Sequence, residues 1–168
     1  MTTDEIFNAL TEAYSVYYNI KKEDAISPFD AEADFNLTQE QYIFVKKAKL
    51  ATIEANEYVY MIREKDLSFE RLSELCKLSW EEGLKKPTPS IDHKTSDIIL
   101  IVIADRILNE AKRKVKSFKN SKSYKFGLWG FSNFKLALIE SSTGSFYLNG
   151  KGWTLKKTIQ HILVSDKC

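Results

Sequence analysis

Ser96-Asp97-Ile98-Ile99-Leu100-Ile101-Val102-Ile103-Ala104, residues 96–104, holds the longest uninterrupted apolar run of the chain. Every residue from Ile98 to Ile103 is a branched aliphatic, so the run has no polar face of the kind a surface helix needs. It predicts a strand buried on both sides at the centre of a sheet. Such a strand must be covered, and its flanks supply two amphipathic helices of opposite charge. Upstream, Ser68 caps a helix whose apolar face is Phe69, Leu72, Leu75, Cys76, Trp80 and Leu84, with Glu70, Glu74, Glu81 and Glu82 outside; Pro87 and Pro89 stop it. Downstream, Ile107, Leu108, Ala111, Val115 and Phe118 recur at helical spacing and turn Lys112, Arg113 and Lys116 outward.

Further out the period of the pattern changes. Thr2-Thr3-Asp4-Glu5 is a capping box, and Ile6, Ala9, Leu10, Ala13, Tyr14 and Tyr17 predict a first helix ending near Tyr18. After Ser27-Pro28, Ala31, Ala33, Phe35 and Leu37 alternate with polar residues. The segments Tyr42–Lys46, Leu50–Glu54 and Tyr58–Arg63 are β-branched or aromatic with short polar breaks, which describes an antiparallel meander of three or four strands. Past the basic helix, Ser123–Leu128 and Phe134–Glu140 read as strands, Ser142-Thr143-Gly144 as a hairpin turn and Phe146–Leu148 as the returning strand. A last helix starts at Trp153-Thr154 and buries Leu155, Ile159, Ile162 and Leu163. The sum is an α+β fold: a single, mostly antiparallel sheet packed with about four helices.

A chain of 168 residues with 43% apolar and 12% aromatic content suits a single α+β domain spanning residues 1–168. Ile98 to Ala104 is far shorter than the roughly 20 residues of a membrane-crossing helix, so no membrane is expected as a partner. The acidic N-terminus lacks the basic and apolar regions of a secretory signal, which predicts a cytoplasmic protein. Cys76 and Cys168 form neither a disulfide framework nor a metal cluster, and no cofactor is implied. The net charge of +2 conceals a split: residues 1–84 carry 17 acidic against 9 basic side chains, and residues 85–168 carry 6 against 16. Lys112, Arg113, Lys114, Lys116, Lys119, Lys122 and Lys125 fall within one stretch of fourteen. Such asymmetry signals an anionic partner, or two halves that neutralise each other in the fold.

Lys112 to Lys135 interleaves those bases with Phe118, Tyr124, Phe126, Trp129, Phe131 and Phe134. Nucleic-acid binders use this mixture, because cations replace phosphate counterions while aromatic faces stack on bases. It also suits a plain structural role, with lysines on a solvated helix face and Phe126 and Leu128, or Phe134, Leu136 and Leu138, alternating into the core. The candidate surface for an anionic partner is therefore Lys112, Arg113, Lys116, Lys119, Lys122 and Lys125 with Tyr124 and Trp129. Gly144 through Gly150-Lys151-Gly152 has the wrong spacing for a phosphate loop, and Gly152 stands where Ser or Thr should hold magnesium. Lys151, Lys156 and Lys157 nevertheless surround the start of the last helix, where free N–H groups favour anions.

The alternative is acid–base or metal chemistry at Glu54, Glu57, Asp92 and His93, in effect a metal-dependent hydrolase related to the nucleases. The helix, meander and crossover helix can be laid over a restriction-nuclease-like core, but that resemblance requires a carboxylate-x-Lys motif on a middle strand. Here the middle strand ends Ile53-Glu54-Ala55-Asn56-Glu57 without a lysine, and Asp92-His93-Lys94, which has the spacing, sits in the loop that opens with Pro87 and Pro89. No Gly-x-Ser-x-Gly occurs either. No catalytic residue or metal ligand is thus assigned.

Three segments carry a resemblance: Glu54-Ala55-Asn56-Glu57-Tyr58, Asp92-His93-Lys94-Thr95, and Lys122-Ser123-Tyr124-Lys125-Phe126-Gly127-Leu128-Trp129-Gly130. In these the chain resembles a family of small uncharacterised bacterial proteins, a domain of unknown function. The resemblance implies that the three segments form a shared structural or functional surface, and it brings no activity with it. The function expected from the residues is a non-enzymatic binding module whose basic surface engages an acidic protein or a nucleic acid. A homodimer, acidic helix of one copy on basic helix of the other, is the third arrangement the charges allow.

Overall fold

A computed structural model describes residues 1–35, 55–87 and 95–165. The apolar run lies inside β4 (Thr95–Ile107), at the centre of a sheet ordered β1 (Asn19–Lys21), β2 (Ala31–Phe35), β3 (Ala55–Leu67), β4, β6 (Phe131–Glu140), β5 (Ser121–Ser123), with β7 (Ser145–Leu148) also paired to β6. Ile98 through Ala104 are entirely buried, as a strand covered on both faces must be. Four helices do the covering among the described residues: α1 (Thr3–Ser15), α2 (Phe69–Gly83), α3 (Asn109–Lys114) and α4 (Lys156–Ser165).

The sheet is mixed. β1–β2, β2–β3, β5–β6 and β6–β7 pair antiparallel, whereas the long strands β3, β4 and β6 run parallel. β3 therefore joins β4 through α2, and β4 joins β6 through α3 and the residues beyond it. Parallel crossovers are right-handed, so two successive ones moving the same way across a sheet place both helices on the same face. Tyr60, Ile98, Leu100, Phe134 and Leu136 pack on that face with Leu72, Leu75, Ala111 and Val115. Val59, Met61, Ile99, Ile101 and Ala137 meet Ile6, Leu10, Leu155 and Ile159 of the other helix layer.

Local chemistry explains the boundaries. Thr2 accepts from the Glu5 N–H while Glu5 accepts from the Thr2 N–H, the capping box the sequence predicts. The Ser68 hydroxyl caps α2 through the Arg71 N–H. Gly83, the last residue of α2, packs so close to β4 that a β-carbon there would stand 2.6 Å from the Ile98 side chain. No described helix is long and apolar enough to cross a membrane.

Several sequence expectations need correction. The strand expected over Tyr58–Arg63 runs from Ala55 to Leu67, because its parallel partner β4 pairs with it along almost its whole length. The third helix stops at Lys114, and Val115–Ser117 continue as a 3-10 turn. Ser123–Leu128 is not a strand: β5 ends at Ser123, and Lys125, Phe126 and Gly127 take left-handed backbone angles (φ 45°, 56° and 87°). The period-two spacing of Phe126 and Leu128, which predicts core-facing residues, is misleading, since both point to solvent. Expected strands at Tyr42–Lys46 and Leu50–Glu54 lie outside the described residues.

Candidate functional site

The two charged helices share a face, yet they do not neutralise each other. Phe69 at the start of α2 and Phe118 beyond α3 lie 6.3 Å apart, so the apolar sides meet. The acidic first half is matched instead by bases near it. Arg63 pairs with Asp4 and Asp30, Arg71 with Glu64 and Glu74, Lys77 with Glu81, and Lys85 with Glu82. Lys86 bridges Glu32 and Asp34 at 2.7 Å each. Among the described residues, Arg113, Lys114, Lys116, Lys119, Lys122 and Lys125 make no ion pair, and only Lys112 of the cluster is bound, to Glu140 at 2.8 Å.

These bases divide between two places. Lys112, Arg113 and Lys116 line an open groove of about 730 Å³ beside β7, whose floor is Phe146 to Gly150 and whose far wall is Trp153 and Lys156. Trp153 is 65% exposed, and the Lys156 ammonium sits 4.3 Å from its ring centroid. Trp153 is not among the site residues expected from the sequence, and Lys156 is expected only as one of the lysines at the start of the last helix, apart from the basic stretch. The signal was present nonetheless: Trp153 lies two positions before inward-facing Leu155, which on a helical turn directs it outward. Lys122 and Lys125 stand instead along β5 and the turn after it, at 5.4 Å from the Tyr124 ring and 3.9 Å from the Trp129 ring respectively. Tyr124 is further held by a 2.8 Å hydrogen bond to the Ser132 hydroxyl. Phe126 projects fully into solvent from its left-handed turn, a conformation that costs a bulky residue roughly 1–2 kcal/mol. Phe134, by contrast, is core.

Two buried polar residues build the groove. Asn149 accepts from the Leu136 and Gly152 N–H groups through Oδ1 and donates through Nδ2 to the Phe118 and Phe134 carbonyls. It thereby bridges the gap where β5 and β7 share one edge of β6. Glu140, at the end of β6, accepts from the Ile107 N–H (2.8 Å), the Lys112 ammonium (2.8 Å) and the Thr143 hydroxyl (2.9 Å). Burial works to raise its pKa, but these three donors together hold the carboxyl below its ordinary value of 4.5. A depressed folded-state pKa means stability that is complete above the ordinary carboxylate range and is lost as pH falls through the lowered value. The stability difference between wild type and Glu140→Gln, followed by urea midpoints, should therefore be largest near neutrality and shrink on acidification.

Of the alternative acid–base set, Glu57 is described, while Glu54, Asp92 and His93 lie outside the described residues. Glu57, Asp97 and Asn133 are in register on adjacent strands, at the N-terminal ends of β3, β4 and β6. Lys135 reaches Asp97 at 2.7 Å and Glu57 at 3.5 Å, Asn133 donates to Asp97 at 3.2 Å, and the Tyr18 hydroxyl donates to Glu57. Burial, then the Glu57 charge, pushes the Tyr18 phenol well above its ordinary range. Among the described residues this is a network of carboxylate, ammonium and phenol. Among the described residues no group of three or more His, Cys, Asp or Glu side chains could hold a metal. Cys76 is buried on the inner side of α2, and burial raises its thiol pKa, away from nucleophilic use.

No curated protein and no solved structure matches the chain significantly. The model of one family, described as a domain of unknown function (DUF8052), matches residues 2–161, and so takes in all three segments that carried the resemblance, the groove and the polar network. The chain belongs to the DUF8052 family.

Proposed function

We propose that the protein is a non-enzymatic binding module that holds an anionic partner in the groove beside β7. The observation that carries this reading is the set of exposed, unpaired bases at Arg113 and Lys116, facing an exposed Trp153 and Lys156 across an open cleft. Cations left unpaired on a folded surface raise the local concentration of anions, and an exposed tryptophan adds apolar contact to the complex. Lys112 is already committed to Glu140, so it shapes the wall while Arg113 and Lys116 offer their charge outward.

Titration with an acidic peptide and with a single-stranded oligonucleotide of equal charge, over a salt series from about 20 to 300 mM, tests the reading. Binding should be measurable at low salt and weaken steeply as salt rises, since exposed charges are screened within about 10 Å at 0.1 M. Absence of binding to both probes at the lowest salt would end it.

A further inference from the structure

We infer that the partner is an extended acidic peptide that adds to the sheet as a strand alongside β7. The inference rests on the anionic-partner reading and takes it further, to the backbone. Among the described residues β7 pairs with β6 alone, and Asn149 N–H donates to the Leu136 carbonyl at 3.1 Å, which fixes the phase of the ladder. In an antiparallel pair alternate residues face the partner strand, so Tyr147 bonds toward β6 while the N–H and C=O groups of Phe146 and Leu148 point away from it. They point into the groove, whose floor those residues form. Neither has a hydrogen-bond partner on that side among the described residues.

An open edge of this kind is a template for another strand, and natural proteins blunt it with charge. Here the charge selects the occupant. Arg113 and Lys116 stand on one side of the edge and Lys156 on the other, so a second copy of β7 would bring like charges together across the junction. An acidic strand brings opposite ones. Its side chains would alternate between the wall carrying Arg113 and Lys116 and the wall carrying Trp153, which favours acidic residues at every second position and apolar residues between them. A nucleic acid can satisfy the cations but cannot continue the backbone ladder.

Backbone N-methylation of the peptide separates the two levels, because it keeps the charge and removes the strand's donors. With a peptide of alternating Glu and Val, amide hydrogen exchange at Phe146 and Leu148 should slow on binding. The same peptide methylated at alternate backbone nitrogens should bind at least about tenfold more weakly. Equal affinity for both peptides, with unchanged exchange at Phe146 and Leu148 but binding lost in Arg113→Glu, overturns strand addition and leaves the anionic groove standing. Tighter binding of the oligonucleotide without protection of either amide does the same. No binding of any probe overturns both. Protection that grows with protein concentration in the absence of peptide would place a second copy on the edge and overturn the acidic-peptide assignment.

Discussion

Asn149→Ala is expected to remove about 4 kcal/mol from the stability of the fold, read as a shift of the urea midpoint by tryptophan fluorescence. The substitution strips partners from four backbone groups at once, the N–H groups of Leu136 and Gly152 and the carbonyls of Phe118 and Phe134. A buried polar group left without a partner costs roughly 1–3 kcal/mol, and water entering the space recovers part of that. Asn149→Asp keeps the acceptor oxygen but sets a second, charged oxygen against the Phe118 and Phe134 carbonyls in a buried site, so at neutral pH it should destabilise at least as much as Ala. Gly152→Ala attacks the same point sterically, since its β-carbon would lie 2.6 Å from the Leu136 carbonyl oxygen and 2.8 Å from Asn149 Oδ1. A shift below about 1 kcal/mol for Asn149→Ala would show that the bridge between the two short edge strands is dispensable.

The Arg113→Glu, Lys116→Glu pair should weaken binding of an acidic probe roughly 100-fold at low salt and flatten its salt dependence. Both side chains are exposed and make no ion pair among the described residues, so stability should hardly move. The control is Lys21→Glu with Lys22→Glu, which makes the same change in net charge at and just after β1, the opposite edge of the sheet, and gives up the 3.6 Å pair of Lys21 with Asp34. If control and groove variants lose affinity equally, attraction is a property of net charge, and the groove has no special part in it. Selective loss in the groove variant ties the partner to the β7 side.

The fold was legible where the sequence pattern was long and unambiguous. Ile98 to Ala104 could only be a doubly covered strand, and the Thr2–Glu5 capping box and Ser68 cap each mark a helix start by local hydrogen bonding alone. The turn at Lys125–Gly127 was not legible, because period-two aromatics there mimic a strand while the left-handed backbone turns Phe126 and Leu128 outward. The groove was half legible. Lys112, Arg113 and Lys116 follow from the helical spacing after Ile107, but Trp153 and Lys156 join them only because β7 brings the end of the chain alongside α3.

Composition and periodicity by themselves determined the α+β class, the buried central strand and the two helices that carry opposite charge. They could not decide how those charges meet. That depended on strand direction: parallel β3, β4 and β6 require right-handed crossovers, which set α2 and α3 on one face. Sharing a face did not cancel the charges, because the acidic side chains found bases close to themselves while the basic ones were carried toward the sheet edge. Pairing at a few ångströms is a property of three-dimensional neighbours, and only the tertiary structure supplies them.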